Sequence, residues 1–180
     1  MLPIAPLMIE HRLIERMIAV IRKEIGRIEG GGEIDAGFID NAVDFIRTYA
    51  DRCHHGKEED ILFKDLGKKE LTSYDRIMVE ELKEDHRKGR ENTALLVAAK
   101  ERYIKGDKDQ AGKILNEMKF FVDFYPKHIE KEDKHFFLPS MSYFTEEEKE
   151  AMMREETAFD ERLIHLIYKE RVLAAEKSRQ

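Results

Sequence analysis

Histidines and glutamates recur in this chain at a spacing suited to gripping a metal ion. His55-Gly56-Lys57-Glu58-Glu59-Asp60 and His128-Ile129-Glu130-Lys131-Glu132-Asp133 each set a histidine four residues before a glutamate. On a helix, positions i and i+4 share a face, about 6 Å apart along the axis. His55 with Glu59, and His128 with Glu132, can therefore reach one ion, or one ion and its neighbour. A lone histidine precedes each pair by a similar interval: His11 by 44 positions and His86 by 42. An apolar run follows each, Ile61-Leu62-Phe63 and Phe136-Phe137-Leu138. The pattern H…HxxxE is written twice.

Helices must carry these residues. Breakers are few and leave five helical stretches, near residues 7–28, 36–64, 74–104, 108–136 and 145–176. Thr145-Glu146-Glu147-Glu148 reads as a capping box that starts the last one. Pro126 falls inside the fourth stretch, two residues before His128, and is expected to bend it. No strand-like alternation is visible. The expected fold is all-α: an antiparallel up-down four-helix bundle over about residues 7–137, with an additional C-terminal helix over about 145–176, in a single domain over 1–180.

The arms of each expected hairpin balance. His11 lies about 18 residues before the first turn and His55 about 19 after it, which at about 1.5 Å per residue puts them level. His86 and His128 stand about 19 and 20 residues from the turn at Gly106. Leu7, Ile14 and Ile18 share a face with His11, Leu62 with His55, Leu82 with His86, and Phe121 and Phe124 with His128. All four histidines should thus point inward in one layer, with Glu59 and Glu132 one turn away. Buried imidazoles and carboxylates need partners, and a shared metal supplies one. His54 lies about 100° round the helix from His55 and is expected outside the layer. His135 should be exposed. Glu161 and His165 repeat an i, i+4 pairing on the last helix, away from the expected core.

Composition bounds the rest. The chain has 180 residues, a net charge of −6, 39% charged residues and no tryptophan, which suits long amphipathic helices with solvated outer faces. No basic stripe with interleaved aromatics suggests nucleic acid, and no apolar window is long enough to suggest a membrane span. Met1–Ile9 is apolar but short and lacks a basic leader, so it does not read as a signal peptide. Together with a single cysteine, Cys53, this leads to the expectation of a soluble cytoplasmic protein. Cys53 reads as a small packing residue.

Imidazole with carboxylate and no thiolate favours iron, with manganese or zinc as alternatives. Six side chains exceed one tetrahedral zinc but suit two metals about 3.5 Å apart. The Glu-x-x-His order of ferritin-like sites is absent, as are HExxH and phosphate-loop motifs.

Glu10-His11-Arg12-Leu13-Ile14-Glu15, Cys53 through Phe63, Glu84 through Arg90, and His128 through Asp133 resemble the hemerythrin-like, or HHE cation-binding, family. The resemblance spans roughly residues 7 to 140. It implies a four-helix bundle around a non-haem di-iron centre bridged by oxo or carboxylate groups. Its ligands, carried over by position, are His11, His55, Glu59, His86, His128 and Glu132, with both glutamates as bridges. Oxygen carriers of the family have a further histidine one turn after the one matching His86. Arginine, which does not ligate iron, stands there as Arg90, so one iron is expected to lack a ligand. Glu15 is a candidate to fill the gap, although a solvated pair with Arg12 or Arg16 is the stronger reading.

The expected function is to bind or sense a small diatomic ligand, oxygen or nitric oxide, or peroxide. The alternatives are an enzyme that oxidises iron or breaks down peroxide or nitric oxide, and a metal-dependent regulatory or interaction module. Nothing in the pattern specifies a protein partner; homodimerisation is compatible with it.

Overall fold

The computed structural model describes residues 2–177; in the last helix it describes side chains through Leu163, and Ile167. His165 lies outside the described side chains. Helix α1 is Ile4–Glu29. Helix α2 runs without a break through Ala36–Phe45, Ile46–His55, Glu58–Phe63 and Lys64–Leu66. Helix α3 is Ser73–Ile104. Helix α4 is Ala111–Lys131, continued by Glu132–Phe136 and Phe137–Ser140. Helix α5 is Glu146–Lys177. There is no strand among the described residues.

Helix ends follow local chemistry. Asp35 accepts from the Phe38 backbone N–H at the start of α2, and Thr72 does the same for Asp75 at the start of α3. Thr145 and Glu148 form the reciprocal capping box of α5. Past the end of α3, Gly106 takes φ 106°, a left-handed conformation that a side chain would strain.

Helices α1 to α4 pack as a bundle in which α1 contacts α2 and α4, and α3 contacts the same two. The apolar interior falls into two clusters. One holds Ile14, Ile18 and Ile21 of α1 with Ile39, Leu96, Met118 and Phe121. The other holds Ile4, Leu7, Leu62, Phe63, Leu82, Phe136 and Phe137. Between them on α1 lie Glu10 and His11, both buried.

Two stretches of α2, Ile46–His55 and Glu58–Phe63, and one of α4, Glu132–Phe136, are wound as π-helix. A π-turn holds more residues than an α-turn, so successive side chains step round the axis by less than 100°. Pro126 lies within α4, and the π-turn begins six residues after it.

Helix α5 docks on the second half of α2. Met152 joins the second apolar cluster, and the Phe159 ring fills the space beside Gly56, where a Cβ would sit 2.8 Å from Cζ. Ion pairs Lys69–Glu148, Lys64–Glu155 and Lys57–Asp160 line the seam.

Glu156 on this seam is buried, and neither of its oxygens has a hydrogen-bond partner. Burial pushes its carboxyl up from 4.5 to about 8, against the pull of Lys57 and with help from Glu10, Asp160 and Glu58. Below the lower value, folded and unfolded chains are both protonated and the group contributes nothing. Between the two values the folded chain keeps a proton that the unfolded chain has lost, so its cost grows with pH and then levels off. Glu156→Gln should therefore raise the thermal midpoint by roughly 3 °C or more at pH 8 and by much less at pH 5. Equal shifts in melts at the two pH values would show that ionisation is not the source of the cost.

Candidate metal centre

Five imidazoles and two carboxylates meet between the two apolar clusters. Helix α1 supplies His11; α2 supplies His54, His55 and Glu58; α3 supplies His86; α4 supplies His128 and Glu132. All seven are buried. They form two groups whose ligand atoms lie within 4.8 Å of one another: His55, His86 and His128 in one, and His11, His54, Glu58 and Glu132 in the other.

Both carboxylates span the groups. Glu132 places Oε2 3.1 Å from His11 Nε2 and Oε1 3.3 Å from His128 Nε2. Glu58 places Oε1 3.7 Å from His54 Nε2 and Oε2 3.3 Å from His86 Nε2. None of these contacts has hydrogen-bond alignment. The five Nε2 atoms and the four carboxylate oxygens all lack a hydrogen-bond partner. Such groups are costly to bury unpaired. Clustered imidazole nitrogens and carboxylate oxygens without partners are what a borderline cation would satisfy, so these residues fit a metal.

Four of the rings are oriented from behind by a hydrogen-bonded carboxylate, and the fifth, His128, has one nearby without a hydrogen bond. Nδ1 of His11 lies 2.8 Å from Asp133, that of His54 2.9 Å from Glu10, and that of His86 2.7 Å from Glu59. Asp51 lies 3.4 Å from His55 Nδ1, and Asp85 3.6 Å from His128 Nδ1. A carboxylate only accepts, so it favours the proton on Nδ1 and turns the Nε2 lone pair inward. Each carboxylate in turn has a cation: Arg12 on Asp133, Lys57 on Glu10, Lys131 on Asp85, and Arg90 on both Asp51 and Glu59.

Without metal, charge in the layer is balanced by protons. Burial disfavours imidazolium at His11, yet the hydrogen bond to Asp133 and the nearby carboxylates of Glu132 and Glu58 outweigh it and raise the ring to about 10. His86 is raised against burial by Glu132, Glu58 and Glu59. Glu132 is held well below the usual carboxylate range despite burial, by His128, His11 and His86. His55 is lowered by burial and by the neighbouring rings of His86, His128 and His54. Cations arriving here would replace protons.

His11, His55, His86, His128 and Glu132 stand in the layer. Glu59 does not: it faces the edge of the bundle and accepts from His86 and Arg90. Its expected place is taken by Glu58. His54, expected outside, is inside. The π-wound turns bring His54 and His55 closer in angle, so both rings reach the layer, each in a different group, and Glu58 enters it as the i+4 neighbour of His54. The layer therefore has a fifth imidazole despite Arg90. Glu15 pairs with Arg12 at the surface, and His135 is exposed. The Cys53 thiol lies 3.4 Å from Asp160, and burial pushes it up to about 12. A cavity of about 90 Å³ lies against His55, lined also by Asp51, Arg90, Thr93 and Tyr125.

A helical bundle enclosing such a layer defines a cation-binding domain. The chain belongs to the hemerythrin HHE cation-binding domain family, whose model matches residues 2–138. No curated protein and no solved structure matches the chain. Among the described residues, no helix is long and apolar enough to cross a membrane.

Glu58 touches the shared space, whereas Glu59 reaches it only through His86. Glu59→Gln should weaken metal binding by roughly 10-fold, at the low end for an outer partner, and Glu58→Gln by more. Chelator competition in which Glu59→Gln is the more damaging change would reverse the two assignments.

Proposed function

We propose that this protein is a non-haem di-iron protein that binds or senses a small ligand: oxygen, nitric oxide or peroxide. The observation that carries the reading is the set of buried, unpartnered Nε2 and carboxylate oxygen atoms facing one another between two apolar clusters. In this reading His55, His86 and His128 would hold one ion and His11 and His54 the other, with Glu58 and Glu132 within reach of both groups. The single domain and the alternating up-down order of α1 to α4 belong to the same proposal. Iron so held supplies redox-active coordination positions.

The chain's own residues restrict what can arrive. Phe137 stacks on His11, Phe63 on His86 and Phe124 on His128, which keeps bulk water from the rings. The cavity beside His55 is small enough to select for small molecules. The carboxylates behind the rings are each engaged by an imidazole and a cation, so they hold ligand geometry and are poorly placed as general bases. This favours binding or sensing over turnover of an organic substrate.

Protein produced with iron should hold close to two ions per chain, with visible absorption absent from the metal-free form. The reduced protein should change spectrum on exposure to oxygen, nitric oxide or peroxide. Iron loading should also raise the thermal midpoint, since binding energy at such a site is partly folding energy. Well under one iron per chain, with manganese or zinc retained instead, would remove iron. A reduced, loaded protein indifferent to all three molecules would remove the ligand-binding role.

A further inference from the structure

Arg90 stands one turn after His86 on α3, and its guanidinium joins two carboxylates on different turns of α2. Nε donates to Asp51 Oδ1 at 2.8 Å and Nη2 to Glu59 Oε1 at 2.7 Å. The same two oxygens face His55 Nδ1 and His86 Nδ1, at 3.4 and 2.7 Å. The two rings stack, with centroids 3.9 Å apart and planes within 10°. One rigid, always charged fork thus fixes both oxygens that orient two neighbouring imidazoles. Elsewhere in the layer each orienting carboxylate has a cation of its own: Arg12, Lys57 or Lys131.

We infer that Arg90 is a positioning residue that aligns His55 and His86 as a single two-toothed unit toward the ion they share with His128. It acts through Asp51 and Glu59, and the inference rests on the metal site proposed above. Its planar geometry matters as much as its charge. A lysine at this position presents one compact ammonium and would not span both acceptors in a fixed fork. The half-exposed setting also matters, because ion pairs open to solvent add little to folding stability. The contribution of Arg90 therefore belongs to ligand geometry and should appear in metal affinity.

The test is ferrous iron affinity, by anaerobic competition with a chromophoric chelator, alongside melting of the metal-free proteins. Arg90→Gln should weaken iron binding by about 10-fold, at the low end for outer partners of ligating histidines, while the metal-free melting midpoint stays unchanged. Arg90→Lys should recover little of that loss. In an Asp51→Asn/Glu59→Gln background, Arg90→Gln should cost no more than about twofold, because its route to the rings is already cut. Iron affinity unchanged by Arg90→Gln overturns the inference, as does the same loss persisting in the double background. A loss matched by destabilisation of the metal-free protein assigns Arg90 to folding instead. If wild-type protein takes up no iron, the site reading falls and this inference with it; full uptake by wild type and Arg90→Gln alike overturns this inference alone.

Discussion

A carboxylate accepts hydrogen bonds and donates none, and that restriction orders the interior of this protein. Each of five buried histidines has a carboxylate behind it, at Nδ1, so each turns Nε2 toward its neighbours. The five Nε2 atoms face the same space, and none has a hydrogen-bond partner. Glu58 and Glu132 add acceptors there and no donors. Ring nitrogens and carboxylate oxygens thus face one another there without hydrogen-bond partners.

The support for this layer extends outward in tiers. Apolar positions on α1 to α4 set the depth at which histidines meet. Carboxylates from all four helices stand behind the rings, and Arg12, Lys57, Arg90 and Lys131 pair with those carboxylates. Burial of the acids would otherwise favour protonation, as it does at Glu156, which is buried without a hydrogen-bonded cation. At Glu59, by contrast, His86 and Arg90 outweigh burial and hold the carboxyl below its usual value.

Much of this was legible in the residues. Apolar spacing and a handful of glycines and caps located five helices to within a few residues, and equal arm lengths placed His11, His55, His86 and His128 at one height. The segment His54-His55-Gly56-Lys57-Glu58-Glu59 was harder. It contains two HxxxE frames one residue apart, and choosing between them assumes a helical pitch. With α-helical pitch only one frame faces inward. The π-wound turns of α2 take His55 from one frame, Glu58 from the other, and His54 as well. No periodicity of side chains announces such turns. The orienting carboxylates were hidden for a related reason: Asp133, Glu10 and Asp85 look like ordinary surface acids until the helices are assembled.

The position of the polar layer between two separate apolar clusters has a mechanical meaning. Neither half of the bundle is fastened to the other by continuous hydrophobic contact, so the layer is the joint across which they must communicate. That joint is a layer of buried charged and polar side chains crossed by all four helices. Ions gripped from all four helices would rivet it, and a change in their number or charge would be felt at both ends of the bundle as a change in stiffness.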